Sequence, residues 1–211
     1  MHNEPVQHVF VVDDDADVRD SLKWLLESVG FKTVIYDSAQ DFLENCSADT
    51  QGCILMDVRM PGMSGLSAQK KLCARDISLP LIMISGHADV DMAVTAMTQG
   101  ALTFLQKPFS DQALIDHVQQ ALLLNLNNWK QAAQMQDIRV HYQSLTKRER
   151  QVFEGVVVGH ANQEIADWLA INRKTVEGHR ANMMAKMQAN SLSELIRMSV
   201  ALGLVKSFGQ N

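Results

Sequence analysis

The first 110 or so residues alternate short apolar runs with segments whose apolar residues recur every three or four positions. Runs that are apolar on both faces predict buried strands, and the recurring spacing predicts helices between them. The predicted strands are 8–13, 32–37, 52–57, 79–85 and 101–106. Five such units in about 120 residues favour an α/β fold of the flavodoxin-like, doubly wound kind, with a five-stranded parallel sheet.

The segment that follows Ser110 predicts one long helix. Ser110 is a suitable N-cap, and neither glycine nor proline interrupts the chain for about thirty residues after it. An apolar stripe continues past the end of the α/β domain through Ile115, Val118, Leu122, Leu126, Trp129 and Ala133. The alternative is a frayed polar spacer, since the segment is rich in Asn and Gln.

From Ser144 onward the pattern is helical throughout, with short turns. The predicted helices lie within 146–159, 162–170, 173–188 and 192–204, and Thr146 with Glu149 has the spacing of a capping box. We therefore divide the chain into an α/β domain at 1–124, a helical linker at 125–141 and an all-α, four-helix domain at 142–211.

Composition and charge narrow the possible partners. Hydrophobic residues make up 46% of the 211, which is ordinary for a globular protein, and no apolar run is long enough to span a bilayer. The N-terminus lacks the features of a signal peptide, and three cysteines without CxxC spacing favour a reducing cytoplasm. Residues 1–124 carry 8 Lys and Arg against 17 Asp and Glu, whereas residues 140–211 carry 9 against 6. The acidic front and mildly basic back indicate different partners, with nucleic acid a candidate for the second.

Chemistry-bearing residues follow four of the predicted strands. Asp13, Asp14 and Asp15 end the first, Asp57 the third, Ser85 the fourth and Lys107 the fifth. The carboxyl ends of parallel strands meet at one edge of the sheet, where ligands bind in open α/β folds. Converging carboxylates repel one another unless a lysine or a divalent cation lies between them, and hard oxygen ligands suit Mg²⁺.

The segments "VVDDD", "LMDVRMPGMSG", "IMISGHAD" and "FLQKPF", in this order and spacing, resemble the receiver domain of two-component response regulators. The resemblance implies that Asp57 accepts a phosphoryl group from a sensor histidine kinase and that Lys107 stabilises it. It implies a Mg²⁺ site made of Asp13, Asp14, Asp57 and the backbone carbonyl of Arg59.

The same resemblance implies a conformational switch, a cis proline and lesser roles for three residues near the site. Ser85 would bond the phosphoryl group and Phe104 would rotate into the space that Ser85 vacates, although a plain core aromatic remains the alternative for Phe104. A cis peptide bond is implied before Pro108. Arg59 and His87 would tune the lifetime of the phosphoryl group, and Asp15 would have a supporting role only.

The segment from Ala161 to Arg180 reads as a helix, a tight turn and a second helix. Apolar residues suited to locking two crossed helices are Ile165, Ala166, Leu169, Ile171 and Val176. With "LTKRERQVF" before and "SLSELIRMSVALGL" after, the segment resembles the LuxR-type helix-turn-helix domain of the NarL/FixJ regulators, and the FixJ-like subgroup fits both halves. We expect Trp168, Met183, Met184 and Met187 to be packing residues.

The resemblance places the second helix in the major groove of DNA. The residues assigned to this surface are Arg173, Lys174, Thr175, Glu177, Gly178, His179, Arg180, Ala181, Asn182 and Lys186. Lys174, Arg180 and Lys186 would contact phosphates, Thr175 would cap the helix or touch the DNA backbone, and base contacts would lie near Glu177, Gly178 and Ala181. Glu177 accepts from a cytosine amino group or faces solvent. Gly178 permits close approach to DNA or is neutral, and the sequence does not decide either question.

The leading hypothesis is a phosphorylation-dependent, DNA-binding transcriptional regulator. We expect an activator that works with RNA polymerase, dimerises on phosphorylation or on DNA, and is not an enzyme beyond slow loss of its own phosphoryl group. A Mg²⁺ phosphohydrolase is the enzyme alternative, but that chemistry usually wants a carboxylate where Arg59 stands. The third hypothesis is a constitutive DNA-binding protein, against which the full set of receiver residues argues.

Overall fold

The computed structural model describes residues 4–86 and 90–204, and its first part is built around a parallel sheet. The strands are β1 (His8–Val12), β2 (Thr33–Tyr36), β3 (Gly52–Asp57), β4 (Leu81–Ser85) and β5 (Thr103–Gln106). Their order is β2-β1-β3-β4-β5, so the direction of winding reverses between β1 and β3. Each strand lies within a predicted apolar run, and the predicted five-stranded α/β fold is confirmed.

Helices cover both faces of this sheet. They are α1 (Ala16–Ser28), α2 (Ala39–Asn45), α3 (Gly65–Ala74), α4 (Val90–Thr98) and the first half of α5 (Asp111–Gln143). Alternate residues of β1 point to opposite faces: Val9 and Val11 pack with α1 and α5, whereas Phe10 and Val12 pack with α2, α3 and α4. The two cores thus fix the strand ends, where the chemistry-bearing residues lie.

The start of β3 requires glycine. Gly52 has φ +137°, and a Cβ at this position would overlap the carbonyl oxygen of His8 on β1. The close approach keeps β3 against β1 in the centre of the sheet, where all six of its residues are buried.

The long helix predicted after Ser110 is confirmed as α5, which has 33 residues. The Ser110 hydroxyl accepts a hydrogen bond from the Ala113 amide at 3.2 Å, as an N-cap should. The predicted stripe is only half-buried apart from Val118. The fully buried positions are Leu114, Val118 and Ala121, so the face that packs on the sheet is rotated from the predicted one.

The chain forms two compact units, residues 1–129 and 130–211. Asn125, the first residue of the predicted linker, is buried, and its side chain accepts a hydrogen bond from the Gly52 amide in the first unit. Among the described residues, no helix combines the length and the apolar character that crossing a membrane requires.

The second unit contains the four helices predicted for it. They are α6 (Lys147–Val157), α7 (Asn162–Leu169), α8 (Arg173–Lys186) and α9 (Leu192–Ala201). Thr146 and Glu149 form the predicted capping box at the start of α6. The core contains Phe153, Ile165, Val176, Met183, Met187 and Leu195, and Met184 packs against it half-buried.

One packing prediction in this unit is wrong. Trp168 on α7 is 58% exposed, together with Val158 at 61%. Both line an open cavity together with Gly155. The inward face of α7 is already filled by Ile165, Ala166 and Leu169, and Trp168 falls just outside this stripe.

The three cysteines differ in burial and none forms a disulfide. Cys53 on β3 is fully buried, Cys46 is half-buried and Cys73 on α3 is exposed. Burial raises the pKa of the Cys53 thiol to about 12.

Candidate functional site: an acidic pocket and a helix-turn-helix surface

The strand ends bring Asp13, Asp57, Ser85 and Lys107 into one pocket. The pocket measures about 260 Å³ and is also lined by Asp14, Asp15 and Arg59. It lies at the carboxyl ends of β1 and β3, the neighbouring strands between which the winding of the sheet reverses, as predicted for an open α/β fold. Asp13 and Asp57 are buried, which few polar residues of the first unit are, whereas Asp14 is exposed.

Lys107 joins the two buried carboxylates. Its Nζ donates to Oδ2 of Asp13 at 2.8 Å and to Oδ1 of Asp57 at 3.1 Å. Burial alone would lower the pKa of Lys107, but these hydrogen bonds and charges outweigh it and raise that pKa above its ordinary value. The lysine thus stays charged and offsets the repulsion between the two carboxylates.

Asp57 is held through both of its oxygens. Oδ1 accepts from Lys107, and Oδ2 accepts from the backbone amide of Arg59 at 2.6 Å. Burial raises the pKa of Asp57, and the charge of Asp13 adds to this, while the Arg59 amide and the Lys107 ammonium act in the opposite direction. The carboxylate is fixed in orientation and borders an open pocket, which is what an attacking group requires.

Asp13 and Asp15 are organised by the start of α1. Asp13 accepts from the Asp15 amide at 3.0 Å, and its backbone carbonyl accepts from Arg19 at 2.7 Å. Asp15 caps α1 by accepting from the amides of Asp17 and Val18. Asp15 therefore begins the helix that follows the acidic pair.

The donors in this pocket suit Mg²⁺ in chemical type. Asp13, Asp14, Asp57 and Arg59 all line it, and Mg²⁺ commonly takes one or two carboxylates, with waters and phosphate oxygens completing its shell. Within 4–86 and 90–204, no three His, Cys, Asp or Glu side chains converge at metal-binding geometry. Lys107 lies between Asp13 and Asp57 instead, so a cation would share these carboxylates with the ammonium.

Ser85 and Phe104 lie on neighbouring strands. Met83 pairs with Phe104 and Ser85 pairs with Gln106, so Ser85 and Phe104 are two positions apart on the same face of the sheet. Ser85 is buried, and Phe104 is half-buried against the core beneath α3 and α4. The peptide bond between Lys107 and Pro108 is cis, as the resemblance implied. His87 lies outside the described residues.

The second site is the turn between α7 and α8. Ala170 takes a left-handed conformation, with φ 52°, and ends α7, while the Asn172 side chain accepts from the Thr175 amide at 2.7 Å and begins α8. The apolar residues expected to lock these helices are buried, with Ile171 partly so. Thr175 lies in the first turn of α8, where its hydroxyl donates to Asn172 at 2.9 Å.

The two helices of this motif lie within the predicted ranges 162–170 and 173–188, and the motif limits Ala161 and Arg180 are not themselves helix ends. Ala161 is exposed and lies outside α7, which begins at the next residue, so Ala161 is the N-cap with extended backbone. Its methyl group offers no hydrogen-bond acceptor, and its backbone amide donates instead to the Glu164 carboxylate at 2.6 Å. At the other end, α8 continues past Arg180 to Lys186. Ala161 therefore marks the start of the motif and is not part of the α8 surface assigned to DNA.

The outer face of α8 carries most of the residues assigned to DNA. The exposed ones are Arg173, Lys174, Thr175, Glu177, Gly178, Ala181 and Asn182, and the half-buried ones are His179, Arg180 and Lys186. A Cβ on Gly178 would meet no atom within 4 Å, so packing within the chain does not require glycine there.

Several of the charges on α8 already have partners within the chain. Arg173 pairs with Glu177 at 3.0 Å, and Arg180 donates to Asn162 on α7 at 2.9 Å. Lys186 pairs with Glu149 at 2.7 Å and thereby ties α8 to the capping box of α6. Sequence reasoning missed the ties of Arg180 and Lys186, because nothing in the spacing of the residues marks a contact between separate helices.

The glutamate at this tie is strongly held. Burial alone would raise the pKa of Glu149, but hydrogen bonds from Lys186 and from Thr146 outweigh it and hold that pKa below its ordinary value. Lys186 therefore has a structural role whether or not it also meets a DNA phosphate.

Both halves of the chain match known families. The model for the response regulator receiver domain matches residues 9–119, and the model for bacterial regulatory proteins of the luxR family matches residues 143–199. The transcriptional regulatory protein FixJ of Bradyrhizobium diazoefficiens is 44% identical over 94% of this chain and 97% of its own. The response regulator protein TmoT of Ectopseudomonas mendocina is 38% identical over 95% of this chain and 91% of its own.

Solved structures agree with this assignment. A low-resolution structure of the response regulator StyR has a TM-score of 0.86 and 41% identity, covering 92% of this chain and 98% of its own. Full-length FixJ from B. japonicum has a TM-score of 0.58 and 44% identity, covering 95% and 98%. The receiver implies a histidine kinase as partner, and the luxR-family domain implies DNA. The chain belongs to the FixJ-like response regulators of two-component systems, transcriptional regulators that join a receiver domain to a LuxR-type DNA-binding domain.

Proposed function

We propose that the chain accepts a phosphoryl group on Asp57 from the phosphohistidine of a sensor histidine kinase, and that this modification controls its binding to promoter DNA. The observation that carries the proposal is the double hold on Asp57, by Lys107 at 3.1 Å and the Arg59 amide at 2.6 Å, at the edge of an open pocket. The carboxylate is oriented before the phosphoryl group arrives.

In the transfer step, a carboxylate oxygen of Asp57 forms a bond to phosphorus as the bond between phosphorus and the imidazole nitrogen of the donor breaks. The donor histidine keeps the electron pair and takes a proton. Asp13 holds Lys107 beside the reacting oxygens, where its ammonium offsets their negative charge. Asp13, Asp14, Asp57 and the Arg59 carbonyl would hold Mg²⁺, which supplies further positive charge to the phosphoryl oxygens when bound.

The modified carboxylate then acts on its neighbours. We propose that Ser85 donates to a phosphoryl oxygen and that Phe104, half-buried two positions away on β5, moves into the space released. The group is lost slowly by hydrolysis, and the chain does not turn over a substrate, because the residue two positions after Asp57 is Arg59 and not a carboxylate.

The output is transcription. We propose that α8 enters the major groove of the promoter, that the active form is a dimer which binds two half-sites, and that it activates transcription with RNA polymerase. The exposed Lys174, Ala181 and Asn182 on α8 support this placement. With DNA as its partner and three free cysteines, the chain acts in the reducing cytoplasm.

The test combines labelling with DNA binding. The wild-type chain is treated with acetyl phosphate and Mg²⁺, and the added mass is located by peptide mapping. Asp57→Asn should abolish labelling and the gain in promoter affinity, while Asp49→Asn, at an exposed loop aspartate, should change neither. Labelling that survives Asp57→Asn would contradict the assignment. Promoter affinity that is equal with and without the phosphoryl group would indicate constitutive DNA binding.

A second pair of variants tests the DNA surface. Lys174→Ala should weaken binding of all sequences alike and reduce the slope of log K against log salt by about 1, because one phosphate contact is lost. Lys70→Ala, on α3 of the receiver, is the matched control and should leave the slope unchanged.

A further inference from the structure

The face of α5 that packs on the sheet ends in a buried amide. Leu114, Val118 and Ala121 are fully buried, and Asn125, the next position along this face, is only 5% exposed. The spacing of four, three and four residues keeps all of them on one side of the helix. An asparagine here replaces the apolar residue that the pattern would otherwise supply.

The Asn125 side chain is bound to two other elements. Its Oδ1 accepts from the backbone amide of Gly52 at 2.9 Å and from Nε2 of Gln7 at 2.9 Å. Nε2 of Gln7 also donates to the Leu122 carbonyl on α5 at 2.9 Å. Gly52 begins β3, the strand that ends in Asp57, so Asn125 links α5 directly to the phosphoacceptor strand.

These contacts fix the helix in one register. Apolar contacts are non-directional, and a helix held by them alone can shift or rotate at little cost. A buried amide with fixed partners is different, because a step of one residue turns it by about 100° and leaves the Gly52 amide unpaired. A single buried asparagine sets register in coiled coils by the same means. Gly52 itself is held in the sheet, since it pairs with His8 of β1.

We propose that Asn125 is a positioning residue that locks the rotation of α5 on the receiver sheet, and that phosphorylation reaches the DNA-binding domain only while this lock holds. The inference rests on the proposed function. Helix α5 begins four residues after Lys107 and runs unbroken to Gln143, beyond the end of the first unit. A helix fixed at Asn125 follows any movement of β3, the strand that ends in Asp57, whereas a helix free to rotate on the sheet does not.

Three variants of the full chain test the inference. Asn125→Ala removes the acceptor, and Asn125→Asp keeps an acceptor for both donors. Asn127→Ala is the matched control, since Asn127 is an exposed asparagine on the same helix. For each variant we would measure the labelling of Asp57 by acetyl phosphate, the thermal midpoint, the hydrogen exchange of the Gly52 amide, and promoter affinity before and after labelling.

We expect all variants to label at the wild-type rate. In Asn125→Ala the Gly52 amide should exchange faster. The gain in promoter affinity on phosphorylation should fall to about one fifth of the wild-type gain or to a lower value. Asn125→Asp and Asn127→Ala should keep the wild-type gain. Loss of stability alone does not change the ratio of the two affinities, so this ratio separates positioning from a merely structural role.

Two results would overturn the inference. One is a full gain in affinity for Asn125→Ala after its Gly52 amide has lost protection, and the other is an equal loss in Asn127→Ala. If Asn125→Ala fails to fold, loss of the gain in Asn125→Asp would overturn it as well. If the wild type itself shows no labelling or no gain, the proposed function fails, and the inference fails with it.

Discussion

Gly178 gives a prediction that separates folding from DNA recognition. It lies in the interior of α8, and a Cβ added to it would meet no atom within 4 Å. Alanine is favoured over glycine in a helix interior by about 0.5–1 kcal/mol, because less backbone entropy is lost on folding. We therefore expect Gly178→Ala to raise the free energy of unfolding of the second domain by that amount.

Gly155 is the matched control, since it is the other helical glycine among the described residues of this domain. A Cβ there would lie 2.8 Å from Cγ1 and 3.0 Å from Cδ1 of Ile165, which is fully buried. Overpacking of this kind costs about 1–3 kcal/mol and exceeds the gain in helix propensity. Gly155→Ala should therefore be destabilising although the substitution is chemically the same.

Both variants can be measured in the full chain by hydrogen exchange of peptides from α6 to α9 over a urea series. A destabilising effect of Gly178→Ala would refute the reasoning, since it would mean that the added methyl group meets an atom or that α8 is not a regular helix there. The promoter affinity of the same variant then decides the question the sequence left open. A loss means that the backbone at 178 approaches DNA closely, and an unchanged or tighter affinity means that glycine is not required.

Three further predictions follow from the contacts. Glu149→Gln should lower the free energy of unfolding by about 1–2 kcal/mol at neutral pH. The pKa of Glu149 is lower in the folded than in the unfolded state, so this stabilisation is present above the unfolded pKa and is lost as the pH falls through the folded pKa. The free energies of unfolding of variant and wild type, measured by urea titration, should therefore become equal in acid. Lys107→Gln should raise the pKa of Asp57 further, since the ammonium that opposes burial is removed; carbon NMR titration of the carboxyl measures it, and an unchanged pKa would contradict the bridge. Gly52→Ala should cost more than about 3 kcal/mol by thermal unfolding, whereas Gly30→Ala, with positive φ but open space, should cost about 1 kcal/mol.

The sequence predicts the elements of this chain well because local patterns determine them. A continuous apolar run such as 52–57 predicts a buried strand whatever position the strand takes in the sheet. Caps such as Ser110 and Thr146 form hydrogen bonds to residues only three positions away. The pocket was predictable for a similar reason, since parallel strands bring their carboxyl ends to one edge.

Contacts between distant elements were not predictable from these patterns. Lys186 was expected to contact a DNA phosphate because it is a basic residue of α8. Its ion pair with Glu149 depends on how α6 and α8 cross. Trp168 was expected in the core because it is apolar, yet three smaller residues fill that face of α7. The helical period gives the shape of a stripe but not its exact rotation, so the prediction named Ile115 and Leu122 where Leu114 and Ala121 are the buried residues.

Because the native thiols differ in burial, their reactivity can be used to measure how the receiver domain opens. Cys73 is exposed, so an alkylating reagent can reach it in the folded protein. Cys53 has a buried thiol with a pKa of about 12, so it reacts only when the centre of the sheet separates. Alkylation of Cys73 therefore reports access to the folded surface, and later alkylation of Cys53 reports unfolding of the domain. No cysteine needs to be introduced for this measurement.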